Sequence, residues 1–203
     1  MIAETFINPV EKNVMESVAK RFSPRAYSDK SVEREKLLTV LEAARWSASS
    51  YNEQPWRFIV ATRENPEAFE KMLGVANDWN QKWAGLAPVL ILTIAKKTFS
   101  HNGKANKHAW HDIGQTVATL ALEAVQHDLY IHQMAGIDAA KARKLFHVPE
   151  DFDVVTLLTL GYLGDIKNLP EEFHKGEGRK RERKPLSELV FENEFGQGSS
   201  LLK

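Results

Sequence analysis

The sequence predicts a three-layer α-β-α sandwich, with a central sheet flanked on both faces by helices. Short apolar runs of strand length recur at Phe58-Ile59-Val60-Ala61, at Val89-Leu90-Ile91-Leu92-Thr93-Ile94 and at Val154-Val155-Thr156-Leu157-Leu158-Thr159-Leu160. Strands that are apolar without alternation belong to a sheet covered on both sides. Segments suited to helices lie between these runs, and the longest, from about Ala109 to Asp128, carries Ile113, Val117, Leu120, Ala121, Ala124 and Val125 on one repeating face. The 203 residues are 43% hydrophobic, enough for one sizeable core. No internal repeat or composition shift marks a second domain, so one domain over 1–203 is expected.

In chain order, Val10, Val14 and Val18 have helical spacing over residues 10 to 20. That pattern stops before Ser23-Pro24, because proline biases its predecessor away from the helical region, which puts Arg21 to Arg25 just past a helix. Ser31 is read as the cap of a helix with Leu37, Leu38, Val40, Leu41 and Ala44 on its apolar face, which delivers Trp46 and a polar loop. The first strand follows, then a helical segment over residues 66 to 84, the second strand, the long helix, and the third apolar run ending at Gly161. Glu171 to Lys184 is highly charged, contains Gly176 and Gly178, and reads as an exposed loop. Beyond it, about 185–203 reads as a C-terminal arm.

Composition narrows the function. Lys+Arg and Asp+Glu are both 27, so no bulk charge favours nucleic acid or an anionic membrane, and an anion site has to be built locally. The chain has no cysteine, which excludes disulfides, thiol catalysis and thiolate metal sites. Glu4, Glu11 and Glu16 interrupt the apolar positions of residues 1 to 20, breaking a signal-peptide core, and no stretch approaches the roughly 20 apolar residues of a membrane span. A cytoplasmic protein is expected.

The most informative stretch is Ser47-Ala48-Ser49-Ser50-Tyr51-Asn52-Glu53-Gln54-Pro55-Trp56, a polar loop that passes through a proline into the first strand. Its hydroxyls and amides supply donors and acceptors suited to a heteroaromatic edge of alternating carbonyls and N–H groups, as in a flavin. Upstream, Arg21-Phe22-Ser23-Pro24-Arg25 brackets a serine with two arginines, whose forked guanidinium groups suit a phosphate.

Together these elements resemble the nitroreductase family of FMN-dependent oxidoreductases, whose members carry an Arg-x-Ser-x-Arg/Lys element and then a Ser-x-x-Asn-x-Gln-Pro-Trp loop, here Ser49 to Trp56. The resemblance continues through Ala87 to Leu92, the helix from His111, Gly161-Tyr162-Leu163-Gly164 and Arg183-Lys184-Pro185-Leu186, nearly the whole chain. It implies a mixed central sheet, FMN as cofactor, NAD(P)H as co-substrate, and an intertwined homodimer with FMN at the interface, which the arm would wrap. It also implies a ping-pong cycle: hydride passes from the nicotinamide to flavin N5, the oxidised dinucleotide leaves, and a nitroaromatic, quinone or similar small electrophile enters the same cleft.

Carried over residue by residue, the resemblance assigns Arg21, Phe22, Ser23 and Arg25 to the phosphate and ribityl side, with Arg181 and Arg183 closing on the phosphate. Ser49, Ser50, Asn52 and Gln54 line the flavin pocket, Asn80 and Lys82 face its pyrimidine end, and Gln133, Met134, Ala135 and Gly136 pass backbone over the ring. Here the chain departs from the Pro-x-x-Gly form of many members. No indispensable acid or base is implied, because the flavin carries the redox chemistry.

Two other readings stand beside this one. His108 and His111, with Asp112 adjacent and His101 nearby, offer a metal-dependent hydrolase, although no Glu sits between the pair as in a zinc-hydrolase helix. A flavin protein of the same fold with another redox task, or without NAD(P)H turnover, is the second. No Rossmann Gly-rich turn chooses NADH over NADPH.

Overall fold

The computed structural model of the chain describes residues 7–202. Glu4 and the last residue of the arm, Lys203, lie outside them. The helices are α1 (Glu16–Lys20), α2 (Arg34–Arg45), α3 (Pro66–Leu73), α4 (Asp78–Ala84), α5 (Ala109–Gln126), α6 (Ala139–Leu145) and α7 (Glu171–Glu177); the strands are β1 (Trp56–Thr62), β2 (Val89–Lys96), β3 (Leu129–Met134) and β4 (Phe152–Tyr162).

The strands form one sheet in the order β1-β2-β4-β3. Successive side chains of a strand point to opposite faces, and both faces are covered. Leu90, Leu92, Ile94 and Leu157 pack with Phe69, Met72, Trp83, Ala142 and Phe173 from α3, α4, α6 and α7. On the other face Val89, Ile91, Leu158 and Leu160 pack with Val40 and Ala44 of α2 and Ile113, Val117, Leu120 and Ala124 of α5. This is the three-layer sandwich the apolar runs called for.

Several local expectations change. All the pairings are antiparallel where a mixed sheet was expected. The crossover through α5 does join two strands of the same direction, β2 and β3, but β4 inserts between them. Only Glu16–Lys20 of residues 10 to 20 is helical, while Val10 and Val14 remain exposed. The helix after Ser31 begins at Arg34 with Glu33 in the capping position; no side chain caps it, because the Glu33 carboxylate is engaged by Tyr162 and Lys30.

Residues 66 to 84 divide into two helices, each capped by an asparagine: Asn65 accepts from the Ala68 N–H and Asn77 from the Asn80 N–H. The charged segment from Glu171 is helical to Glu177, because Phe173 anchors one face in the core. Strand β3 has no counterpart among the predicted strands, and Gln133 and Met134 end it.

Candidate functional site

The polar loop is a strained, tightly held structure. Tyr51, Asn52 and Gln54 have φ values of 53°, 54° and 51°, a left-handed conformation costing a residue with a side chain of order 1–2 kcal/mol each. Anchors on both sides impose it. The Ser50 N–H donates to Asp112 Oδ2 at 3.0 Å, and Asp112 is a buried carboxylate in the first turn of α5. Glu53, half-buried with its side chain turned inward, accepts from the Ser100 N–H at 2.8 Å, the Ser100 hydroxyl at 2.6 Å and Lys96 Nζ at 3.3 Å. Ser49 Oγ accepts from the Gln54 N–H at 3.0 Å. Asn52 and Gln54 remain exposed, so the strain holds polar groups outward.

A second cluster gathers around strand β3. Arg21, Arg181 and Arg183 line one cleft of about 770 Å³ with Asn8, Val10, Val14, Val18 and Pro185. The Arg181 guanidinium lies 4.3 Å over the Phe22 ring, and Phe22 is buried against Tyr130. Burial and the neighbouring Arg183 hold Arg21 below the usual arginine range, and burial together with Arg21 and Arg183 does the same to Arg181. Clustered guanidinium groups offer forked, charge-assisted donors that can hold an anion. Ser23 is exposed beside them.

Arg25 continues the cluster towards the sheet. Its guanidinium carbon stands 5.5 Å from the Trp83 ring centre, and its backbone N–H donates to Glu177 Oε1 at 2.8 Å, as does that of Ala26 at 3.2 Å. His132 also packs against Trp83, its ring tilted at 44° with the ring centres 4.5 Å apart, and its Nδ1 lies 3.0 Å from the Pro24 carbonyl. Burial first, and then Arg25, push the His132 pKa down to about 4, so its ring is neutral at neutral pH. Arg25 Nε and Trp83 Nε1 are buried without a hydrogen-bond partner among the described residues.

One turn before Trp83 on α4, the Asn80 side-chain amide donates to the Gly136 carbonyl at 3.1 Å, and the Asn77 N–H donates to the same carbonyl at 2.9 Å. A Cβ at position 136 would stand 2.4 Å from Asn77 Nδ2, so glycine is required there by the cap of α4. Met134 is buried in the core, whereas Gln133 and Ala135 are exposed. Lys82 pairs with Glu172 of α7 at 2.9 Å and lies over the Trp79 ring.

Arg21, Phe22, Ser23, Arg25, Asn80, Lys82, Gln133 to Gly136, Arg181 and Arg183 therefore surround β3. The loop bearing Ser49, Ser50, Asn52 and Gln54 stands apart. Ser50 is tied to Asp112 near the start of α5, whereas Ser17 of α1, next to Arg21, bonds Gln126 at its end. Those two points are about 21 Å apart at 1.5 Å per residue. Across the sheet, β1 and β3 are opposite edges, three strand spacings or roughly 14 Å apart. The two motifs thus occupy different corners of one chain.

Residues that carry the geometry without a signal in the sequence are Asn8, Glu177 and His132. Each acts through partners more than 10 residues away or through burial that an isolated polar residue does not reveal. Glu53 and Asp112 were visible only as neighbours of more suggestive residues. His108 and His111 are exposed, His111 Nδ1 faces Gln115 at 2.9 Å, and among the described residues no group of three or more His, Asp or Glu could hold a metal ion.

Comparison with known proteins adds four likenesses. The family model described as Nitroreductase family matches residues 18–162. A solved structure described as an oxidoreductase containing FMN is 32% identical, superposes with a TM-score of 0.88, and the alignment covers 94% of this chain and 96% of that one. A nitroreductase family protein of Clostridium difficile 630 is 29% identical with a TM-score of 0.70, over 91% of this chain and all of that one. A curated relative from Archaeoglobus fulgidus, provisionally named NADH dehydrogenase/NAD(P)H nitroreductase, is 26% identical over 77% of this chain and 89% of its own length.

Proposed function

The chain belongs to the nitroreductase family, and on that premise we propose that it is an FMN-dependent oxidoreductase, taking electrons from NAD(P)H and delivering them to a nitroaromatic, quinone or similar small electrophile in a ping-pong cycle. The observation that carries this reading is the order of groups around β3. Cations come first at Arg21, Arg181 and Arg183, then Arg25 beside Trp83, then the Asn80 amide and the backbone at Gly136. A phosphate, a polyol chain and a flavin ring present matching chemistry in the same order. The unpartnered Arg25 Nε fits a polar ligand chain, since a buried donor is seldom left without an acceptor.

In this reading Arg21, Arg181 and Arg183 hold the phosphate, with Phe22, Ser23 and Arg25 along the ribityl chain. Asn80 and Lys82 face the pyrimidine end, while the backbone of Gln133, Met134, Ala135 and Gly136 lies along the ring. FMN, when bound, supplies hydride and electron transfer. The chain's own residues bind it, orient it and limit solvent access. The loop of Ser49, Ser50, Asn52 and Gln54 reaches that ring from a second copy, so the working unit is a homodimer with two composite sites. Support for this comes from the separation of the two motifs and from the exposure of Trp46 (75%), Trp110 (57%) and Phe195 (95%), apolar surface that a second copy would cover. The arm over 185–203 is the segment proposed to wrap the partner, and the whole chain one domain.

Among the described residues no helix is long and apolar enough to cross a membrane; we assign the protein to the cytoplasm, where its nicotinamide substrate is available. Initial rates measured with FMN-loaded protein while NAD(P)H and an acceptor quinone are varied test the cycle. Parallel double-reciprocal lines are expected, and intersecting lines would contradict it.

A further inference from the structure

We propose that Asn8 is a positioning residue of the anion site, holding the Arg181 guanidinium beside Arg21 so that both meet the phosphate of FMN. The inference rests on the FMN reading above. It starts from the bonds of one side chain. Asn8 Nδ2 donates to the Val18 carbonyl at 2.8 Å and to the Arg21 carbonyl at 2.9 Å, while Oδ1 accepts from Arg181 Nη1 at 2.8 Å. Its backbone N–H donates to the Ala19 carbonyl at 2.7 Å, which fastens the segment before α1 alongside that helix.

These bonds fix the amide's orientation. Both Nδ2 partners are carbonyls at the open end of α1, which need donors, and the Oδ1 partner is a guanidinium, which needs an acceptor. Turning the amide over would set oxygen against carbonyls and N–H against a cation. Asn8 thereby bonds a residue 173 positions away in the chain, and it lines the same cleft as Arg21, Arg181 and Arg183.

The residue type matters as much as the contacts. An aspartate or glutamate at position 8 would set a carboxylate against the Arg181 guanidinium. Such a carboxylate would neutralise the site and compete with phosphate. A neutral amide satisfies one arginine N–H and leaves the positive charge in place for the ligand.

FMN and riboflavin share the ring and ribityl chain and differ by the phosphate, so the ratio of their affinities isolates the anion site. Flavin-free protein would be titrated with each by fluorescence quenching. The expected result is that Asn8→Ala weakens FMN about tenfold and leaves riboflavin unchanged. Asn8→Asp weakens FMN further, with riboflavin again unchanged. Because Asn8 acts through Arg181, adding Asn8→Ala to Arg181→Ala costs less than it does in the wild type. Equal weakening of both flavins in the Ala and Asp variants would mean a merely structural role and overturn the proposal. Unchanged FMN affinity in either, or fully additive losses, would also overturn it. A wild-type protein that binds neither flavin would overturn the FMN reading itself, an outcome distinct from failure at Asn8 alone.

Discussion

The Asn80 side chain and the Gly136 carbonyl are bonded at 3.1 Å, joining the first turn of α4 to the segment that leaves β3. These two residues were singled out separately in the sequence, 56 positions apart, and the fold brings them together. The junction is tight because Gly136 has no side chain. Gly136→Ala would force its Cβ into Asn77 Nδ2 and Asn80 Nδ2, breaking the cap of α4. A loss of about 1–3 kcal/mol of stability is expected, with weaker FMN binding. Chemical denaturation with and without FMN measures both; unchanged stability would show that α4 adjusts freely.

The proposed phosphate site is a set of clustered cations lining one cleft, and interactions of partly exposed charges are screened by salt. FMN affinity is expected to fall several-fold as ionic strength rises from about 0.01 to 1 M, and that of riboflavin to stay level. Arg183→Gln should flatten the dependence for FMN. Equal salt dependence of the two flavins would remove the arginines from the phosphate site.

Asp112 holds Ser50 within a loop whose Tyr51, Asn52 and Gln54 are left-handed. Asp112→Ala leaves the Ser50 N–H without this acceptor and frees the loop, costing about 1–3 kcal/mol. FMN binding should weaken in the proposed dimer, because Asp112 holds the loop proposed to reach the ring. Thermal melting and flavin titration of the variant check this; flavin binding at wild-type strength would show that the loop's shape is not needed.

His132 gives stability a pH dependence of known sign. Its folded pKa of about 4 lies below the ordinary 6.5, so between those values the unfolded chain binds the proton more readily than the folded one. The contribution is fully present above pH 6.5 and is lost as the pH falls towards 4, amounting to roughly 3 kcal/mol at most. His132→Gln should flatten the denaturation profile between pH 6.5 and about 4.5, above the range where most carboxylates titrate. An unaltered slope in that window would mean that His132 stays accessible to protons.

The layers of the fold were legible because β2 is buried on both faces and α5 keeps one apolar stripe, patterns that survive without knowledge of neighbours. Strand β3 was not, since Leu129-Tyr130-Ile131-His132-Gln133-Met134 mixes polar and apolar residues and becomes a strand only by pairing with β4 at the sheet edge. At the site, the motif residues were visible because their types and order are distinctive. What held them in place was not: Asn8 and Glu177 act across more than 150 residues, and Glu177 looks like one more acid in a charged stretch until its carboxylate is found against the backbone of Arg25. The separation of the two motifs along α5 was also beyond sequence, since adjacency in a family signature carries no distance.

The most direct measurement is an absorbance spectrum of the purified protein, reloaded with FMN, before and after anaerobic addition of NADPH or NADH. Bound flavin bands in the near-ultraviolet and blue that bleach with either nucleotide, and return when a quinone is added, are the predicted result. A protein that cannot be loaded with FMN, or whose bound flavin neither nucleotide bleaches, would contradict the account.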